Sequence, residues 1–218
     1  MIVRSKRIGF VAVLILLTTL SGFLVFSRYS PSNLEWKVNE GDTLVLTFNV
    51  SEYYQGWDME IDTISTWTDV IVTISSLPVL PEWKDQNSFI ENIVKFGKTD
   101  CNHTDLPSNY TQILRGLISL LTMPVGEWTW LDSLYPDSLS PIGYPEHDFE
   151  EYFVARLEDD CLYFQRTTVK SRFPNWHTTH WMGWINMTTG LPIRAVYQSK
   201  RPDCTEQAYT TLNVTRIF

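Results

Sequence analysis

Residues 108–124 read SNYTQILRGLISLLTMP and decide the fold class, because the apolar period of the chain changes here. The apolar residues of this stretch recur three or four positions apart and form one broad stripe: Ile113, Leu114, Leu117, Ile118 and Leu121. That spacing predicts an amphipathic helix, which Ser108 caps and Pro124 ends. The β-like patterns on both sides make this helix an insertion within a sheet protein.

Two shorter helices are predicted near the first one. Residues 89–94 place apolar side chains at helical spacing after the possible caps Asp85 and Asn87. A further short helix is predicted to begin near Gly126 and to bury Trp128 and Leu131.

Strict alternation of apolar and polar residues predicts the strands. Residues 44–50 alternate, and residues 57–62 and 70–74 are predicted to pair with each other as a hairpin. Residues 136–149 are rich in proline and predict a loop. Alternation then returns at 153–157, 162–164, 180–187, 191–198 and 208–214, with a turn at 188–190. This order of elements predicts an α+β domain with an antiparallel sheet of about seven or eight strands and two or three helices packed on one face.

Residues 8–26, IGFVAVLILLTTLSGFLVF, carry no charge and follow the basic residues Arg4, Lys6 and Arg7. Nineteen helical residues extend roughly 28 Å, close to the ~30 Å hydrocarbon thickness of a bilayer. The sequence predicts residues 1–28 as a signal anchor with a transmembrane helix at 8–26, residues 29–34 as a tether and 35–218 as the extracellular domain. The alternative is a cleaved signal peptide with its cut after Thr19-Leu20-Ser21. Both readings export the domain and place it at the cell membrane or beyond.

Five of the ten asparagines lie in Asn-x-Ser/Thr sequons: Asn49, Asn102, Asn109, Asn186 and Asn213. Glycan acceptors must lie on exported, exposed segments, so all five are predicted glycosylation sites. Thr-rich strand composition is the alternative explanation for part of this excess.

The charge and the cysteine content limit which partners and which disulfides the domain can have. Four of the 17 basic residues precede the first acidic residue, Glu35, so residues 29–218 carry 13 basic and 25 acidic residues, a formal −12. Nucleic acid is excluded as a partner, because phosphate binding needs clustered Lys and Arg. An oxidising compartment permits one disulfide among Cys101, Cys161 and Cys204, and the polar turns around the last two favour the Cys161–Cys204 pairing.

No catalytic or metal-binding motif is present in the sequence. His177 and His180 are three residues apart, which places them on opposite faces of a strand, and no second ligand pair is spaced for zinc. Acidic pairs such as Glu150/Glu151 and Asp159/Asp160 are typical of solvated turns and strand edges. The prediction is a protein without catalytic activity, metal or cofactor, with a carboxylate-based hydrolase as the least favoured alternative.

Aromatic residues are the remaining excess, with nine Trp, ten Tyr and eleven Phe. Most are expected in the core, but an exposed subset can stack on a ligand. The candidates for ligand binding are Trp176, Trp181 and Trp184, which form the densest group, and Trp130 beside the core-facing Leu131.

Several short motifs resemble one group of proteins: Trp36-Lys37-Val38 before Gly41-Asp42, Ile74-Ser75-Ser76-Leu77-Pro78, Met123-Pro124-Val125-Gly126-Glu127-Trp128 and Thr189-Gly190-Leu191-Pro192. Together they resemble membrane-anchored surface proteins of archaea, notably the Asgard group, to which no activity is assigned. The layout is similar, at fold level, to periplasmic lipid carriers of the LolA and LppX type. That analogy implies a curved sheet with helices on its concave face and an apolar pocket between them.

These observations predict a single-pass, membrane-anchored, extracellular glycoprotein domain that binds an apolar or lipid-like ligand between sheet and helices. A structural or adhesive role at the cell surface is the alternative.

Overall fold

The computed structural model of the protein describes residues 13, 15–22, 30–55, 60–85, 89, 92–134, 142–144, 149–170, 177–202 and 207–216. The described strands and helices are β1 Thr43–Gln55, β2 Glu60–Ile74, β3 Thr99–Cys101, α1 Ser108–Leu121, α2 Trp128–Leu134, β4 Ile142–Tyr144, β5 Phe149–Glu158, β6 Cys161–Lys170, β7 His177–Asn186, β8 Pro192–Pro202 and β9 Gln207–Arg216. The predicted α+β class is confirmed.

All the described strands join in one antiparallel sheet with the order β3-β2-β1-β9-β8-β7-β6-β5-β4. Strands β1 to β3 form one block, and strands β4 to β8 form a second block in which each strand pairs with the next. The C-terminal strand β9 pairs with β1 on one side and with β8 on the other. The last strand of the chain therefore joins the two blocks.

Helix α1 lies against one face of this sheet, which we call the inner face. It contacts β3 at one edge of the sheet and also β7 and β8, which stand several strands away in the sheet order. Only a sheet that curves around the helix can reach it from both places. The predicted curved sheet with helices against its concave face agrees with these contacts.

The hydrophobic core fills the space between α1 and the inner face. Strand residues at alternate positions point into it, as the period of two requires. Its largest fully buried side chains are Phe48, Phe89, Phe164, Leu44, Leu46, Ile74, Ile93, Leu114, Leu117, Ile118, Leu120 and Leu121. Apolar burial of this kind stabilises a domain by about 25 cal/mol per Å² of apolar surface removed from water.

Two glycines allow the close approach of this layer to its neighbours. A Cβ atom on Gly183 of β7 would lie 2.4 Å from Leu121 Cδ1 and 3.1 Å from the Arg194 carbonyl oxygen. Gly190 ends the β7–β8 turn with φ +70°, and its carbonyl accepts a hydrogen bond from the Met123 N–H at 2.8 Å. The end of α1 is thereby held against the sheet and against the β7–β8 turn.

Several sequence-based expectations are wrong in detail. Residues 60–74 form one continuous strand that pairs with β1, so the predicted hairpin between 57–62 and 70–74 does not exist; residues 57–59 lie outside the described residues. In its middle, β2 has a stretch without apolar alternation. A register shift between Leu46 and Phe48 of β1 and the positive φ of Asp69 accommodate this stretch within one strand.

Other boundaries also differ from the predictions. Pro107, without a side-chain cap, precedes α1, and Ser108 is the first residue of the helix. The predicted loop at 136–149 contains β4, and the described residues form nine strands of the sheet where about seven or eight were expected. Residues 89 and 92 are helical, as predicted, and α2 begins at Trp128.

The predicted tether contacts the domain. The Ser32 N–H donates to the Glu82 carbonyl at 3.1 Å, Pro31 forms a β-bridge with Trp83, and Asn33 donates to the Glu127 carboxylate. The folded unit therefore includes residues 30–34.

Residues 13 and 15–22 are helical and exposed, and no helix among the described residues is long and apolar enough to cross a membrane. The predicted span at 8–26 extends outside the described residues and stays a prediction.

The contact between Gly183 and Leu121 makes a testable prediction. We expect Gly183→Val to lower the free energy of unfolding by about 1–3 kcal/mol, because its side chain must displace α1 or the β8 backbone. Chemical denaturation measures the change. Adding Leu121→Ala should recover part of the loss, and strictly additive effects of the two substitutions would contradict this packing.

Candidate functional site

The four tryptophans predicted to bind ligand lie in different places. Trp181 is on the inner face, where it packs on Tyr197 with ring centroids 4.5 Å apart. Trp184 is on the opposite face, beside Tyr163 at 5.2 Å. Trp130 packs edge-on against the buried Phe89, and Trp176 lies outside the described residues. The predicted cluster therefore does not form among the described residues.

The separation of Trp181 from Trp184 follows from strand geometry. Both belong to β7, and a three-residue offset on a strand places two side chains on opposite faces. The same rule separates His177 from His180, as predicted. His180 lies within 3.0 Å of the Thr167 hydroxyl, and its partial burial lowers its pKa.

A cavity of about 350 Å³ lies between α1, the segment that leads into β3, and Trp181 on β7. Its lining residues are Phe96, Gly97, Thr99, Gln112, Arg115, Gly116 and Trp181. The volume is at the lower end of the range for small-molecule sites, about 300–1,000 Å³. This is the strongest candidate for a binding site among the described residues.

One wall of the cavity is aromatic. The rings of Phe96 and Trp181 lie 5.2 Å apart, and both come within 3.3 Å of where a Cβ on Gly116 would be. The absence of a side chain at Gly116 thus lets the two rings meet beside the helix. Phe96 remains 47% exposed, so part of its ring is open to a ligand at the cavity.

The opposite rim of the cavity is polar. The Arg115 Nε–H donates to the Thr99 carbonyl at 3.2 Å, and the same guanidinium forms an ion pair with Asp100. These bonds use only part of the five N–H donors of the guanidinium, so donors remain for another acceptor. The Gln112 side chain adds an amide to the same rim.

Behind Phe96 lies a second, buried arginine. The Arg166 guanidinium carbon stands 4.8 Å from the Phe96 ring centroid, and the guanidinium pairs with Glu151. Its Nε–H is buried and finds no hydrogen-bond partner among the described residues. Because both charges of the pair are largely removed from water, removing either one would leave an uncompensated buried charge.

Buried Lys98 holds the cavity segment in place. The residue is 3% exposed, and its ammonium donates to the carbonyls of Ile93, at 2.8 Å, and of Thr122. The Thr122 carbonyl lies at the C-terminal end of α1, where the helix dipole favours a cation. The Trp36 ring lies 5.5 Å from the ammonium. Burial lowers the pKa of Lys98 to about 7.

Sequence reasoning missed Phe96, Gly116 and Lys98. Phe96 and Lys98 lie between the predicted helix at 89–94 and the polar segment around Cys101, a stretch without a periodic pattern. The available signal in the sequence was the glycine at position 97, which indicates a turn. The backbone there has a φ of +92°, a conformation that favours glycine. Nothing in a one-dimensional pattern connects this turn to Trp181, 84 residues later in the chain.

The face of the sheet opposite α1, the outer face, carries a row of aromatic and charged side chains. Arg194 lies over the Trp184 ring at 4.9 Å, and Arg156 lies over Tyr163 at 5.3 Å. The Trp184 indole N–H donates to Glu158 at 2.9 Å. Each charge here has a partner within the row.

The predicted glycosylation sites divide between two regions. Asn102 follows β3 and Asn109 lies in the first turn of α1, and both are exposed. Asn49 of β1 and Asn186 of β7 are half-buried strand residues, and Asn213 of β9 is the register partner of Asn49. Occupancy of all five sequons stays a prediction.

The strand register argues against the predicted Cys161–Cys204 disulfide. Cys161 is a free thiol and pairs with Asn186 at the end of β7 beside which β8 begins. Strand β8 ends at Pro202, roughly 30 Å away along the sheet. Cys204 lies outside the described residues and is two positions after Pro202 in the chain, and two residues extend at most about 7 Å, too little to reach Cys161. Cys101 is also a free thiol.

Acidic and histidine side chains do not converge in the described part of the chain. No three His, Cys, Asp or Glu residues there could together hold a metal ion. Asp159 and Asp160 form the β5–β6 turn, as predicted, and the two residues of the Glu150/Glu151 pair point to opposite faces of β5.

Comparison with known proteins adds no assignment. No protein-family model matches the chain, and no curated protein matches it either. The function must therefore be argued from the cavity and the two faces of the sheet.

The buried ammonium of Lys98 predicts a pH dependence of stability. Its pKa is about 7 in the folded protein and 10.5 as the ordinary value, so between these values the unfolded chain binds one more proton. Stability should therefore rise with pH across this interval, by up to about 1.4 kcal/mol per pH unit. Lys98→Met should remove this rise.

Urea denaturation of the wild type and of Lys98→Met at pH 6, 7.5 and 9 tests the prediction. The difference between the two proteins isolates Lys98 from other titrating groups. Parallel pH profiles would contradict a neutral, buried amine.

Proposed function

We propose that this protein is a membrane-anchored extracellular domain that binds a small apolar ligand in the cavity between α1 and the inner face. The observation that carries the proposal is the pair Phe96 and Trp181, which form an aromatic wall at a cavity of about 350 Å³ while Phe96 stays 47% exposed. Burying the rest of that ring against a ligand would release the water that now contacts it.

The residues around the cavity support its interpretation as a ligand site and argue against an accidental gap in the packing. Gly116 lets both rings pack directly against the helix, because a Cβ there would lie 3.2 Å from each of them. Lys98, directly between two lining residues, is tied to the ends of two helical segments at the cost of burying an amine. A rigid wall of this kind suits a preformed pocket.

The rim indicates the polar part of the ligand. The Arg115 guanidinium is 43% exposed at the cavity and has N–H donors that its bonds to Thr99 and Asp100 do not use. It can therefore donate hydrogen bonds to an anionic group of the ligand. We therefore assign the ligand class as a short acyl chain or ring that ends in a carboxylate or another anion. A volume of about 350 Å³ limits the apolar body to one short chain or one ring system.

The proposed location rests on the sequence. Residues 8–26 supply the anchor, and five sequons fit an exported surface. The resemblance to membrane-anchored archaeal surface proteins and the analogy to lipid carriers are consistent with the same proposal, and neither carries it.

A second candidate function is a structural or adhesive surface domain that acts through the outer face. The observation in its favour is that the described helices α1 and α2 leave this face uncovered, while it carries the sequon asparagines Asn49 and Asn186. The two roles are compatible, because they use opposite faces of the sheet. A carboxylate hydrolase has less support, because Glu151 is held by Arg166 and Glu52 by the Tyr110 hydroxyl.

Binding of octanoate and of its neutral analogue octanamide tests the ligand proposal. With the full chain in lipid nanodiscs, and empty nanodiscs as the blank, saturation-transfer NMR should detect both ligands. Gly116→Leu should abolish binding, because its side chain must displace the Phe96 and Trp181 rings that form the aromatic wall. Arg115→Gln should weaken octanoate by about tenfold, and leave octanamide unchanged, because only the anion uses the guanidinium.

Trp184→Phe is the matched control, because it changes a tryptophan on the same strand but on the outer face. It should bind octanoate like the wild type, whereas Trp181→Phe should bind it more weakly. Unchanged binding by a folded Gly116→Leu protein would refute the cavity as the site.

A further inference from the structure

The sequon at Asn186 differs from the other four in its surroundings. Two residues before it on the same strand is Trp184, whereas the corresponding residues of the other sequons are Thr47, Asp100, Pro107 and Thr211. Residues two apart on a strand share a face and lie about 6.5 Å apart. Asn186 and Trp184 therefore stand side by side on the outer face.

The side chain of Asn186 organises the β7–β8 turn. Its Oδ1 accepts hydrogen bonds from the backbone N–H groups of Thr188, at 2.9 Å, and Thr189, at 3.0 Å, and from the Thr189 hydroxyl. Within the described part of the chain, its Nδ2 makes no hydrogen bond. The oxygen is thus held in the turn, while the nitrogen that would carry a sugar remains available. Thr188, the hydroxyl residue of the sequon, is exposed.

The Trp184 ring is held in a fixed orientation beside this asparagine. Its indole N–H donates to Glu158, and Tyr163 packs against it at 5.2 Å. The other neighbour is Arg194, an exposed side chain that lies over the ring at 4.9 Å. A flexible, exposed arginine can move aside for another group at small cost, whereas Tyr163 is buried and cannot.

The inner side of the same turn is already attached to the helical layer. The Trp128 indole N–H donates to the Met187 carbonyl at 3.1 Å, and Gly190 bonds to Met123. On the outer side, the nearest attachment to another strand is the bond from the Trp184 indole to Glu158 of β5. A group carried by Asn186 and packed on Trp184 would hold the end of β7 at the turn in its strand conformation.

We infer that Asn186 carries an N-linked glycan whose first N-acetylglucosamine packs its C–H face on the Trp184 indole and so stabilises the β7–β8 hairpin. The pyranose ring of a β-linked sugar presents axial C–H groups on one face, and these are attracted to the electron-rich face of an aromatic ring. The inference rests on the export of the domain in the proposed function, and it does not depend on the cavity ligand.

The attachment step needs a lipid-linked oligosaccharide and a cellular transferase. The Asn186 Nδ2 attacks the anomeric carbon of the first sugar, a new N–C bond forms, and the bond from that carbon to the lipid pyrophosphate oxygen breaks. The amide nitrogen loses one proton, and the lipid pyrophosphate leaves with the electron pair.

Expression of the full chain in a glycosylating eukaryotic host tests the inference. Glycopeptide mass spectrometry should find Asn186 occupied. After an endoglycosidase trims each glycan to a single N-acetylglucosamine, the melting temperature should exceed that of Thr188→Ala by about 2–4 °C. Thr188→Ala removes the sequon, but it keeps Asn186 and its bonds within the turn.

The glycan contribution should depend on the indole. In a Trp184→Leu background, Thr188→Ala should change the melting temperature by less than about 1 °C. The same two comparisons, made with protein from a host that does not glycosylate, give the change in melting temperature that the side-chain substitutions cause by themselves. Thr111→Ala, which removes the sequon at the exposed Asn109 without an aromatic two residues before it, is the matched control and should show no dependence on Trp184.

Proton NMR of the trimmed protein provides a second measurement. The H1, H3 and H5 protons of the sugar on Asn186 should shift upfield because they lie over the indole, and Trp184→Leu should remove the shift. An unoccupied Asn186, or a stabilisation that persists without Trp184, would overturn the inference. Neither result bears on octanoate binding, so failure here and failure of the ligand proposal are distinguishable.

Discussion

The close approach of α1 to β7 at Gly183 is the contact on which the rest of the domain depends. No side chain larger than hydrogen fits there, because a Cβ would lie 2.4 Å from Leu121 and 3.1 Å from the β8 backbone. This contact sets how deeply the helix lies in the curved sheet, and therefore how close Gly116 comes to Trp181. The cavity is the space left where this contact ends, beyond the fully packed turns of the helix around Leu117 and Leu121.

Two largely buried basic side chains support the cavity wall in different ways. Lys98 is held by backbone carbonyls at helix ends and has no ion-pair partner in the described part of the chain, whereas Arg166 is paired with Glu151 and covered by Phe96. Both arrangements are costly, because ionised groups lose their hydration on burial. Some proteins retain buried charged groups because these groups fix a particular conformation, although they lower the stability of the fold. Here both of them fix the segment at residues 96–99 against the sheet.

The two faces of the sheet have separate roles in this proposal. The inner face carries the apolar core beneath α1, together with the Arg166–Glu151 ion pair, and it borders the cavity. The outer face carries the aromatic and charged row around Trp184 and the sequon residues Asn49 and Asn186. Ligand binding and glycosylation can therefore vary independently, since the residues of one face do not contact those of the other through the thickness of the sheet.

The class of the fold could be predicted from the sequence, because the periods of 3.6 and two are local properties. Helix α1, the alternating strands after residue 149 and the turn at 188–190 were all visible in this way. The same rule of alternation that separated His177 from His180 also separates Trp181 from Trp184, so the grouping of those tryptophans was an error of reasoning that the sequence itself could have corrected.

What the sequence by itself determined is the set of local elements, the pattern of buried and exposed positions, and the positions of five sequons. Only the tertiary structure decided that the last strand pairs with β1 as well as β8, that residues 96–99 meet Trp181, and that Lys98 lies at the end of α1. Those contacts join residues far apart in the chain, and they depend on the curvature of the sheet and on the volume left by single glycines, neither of which is written in any local pattern.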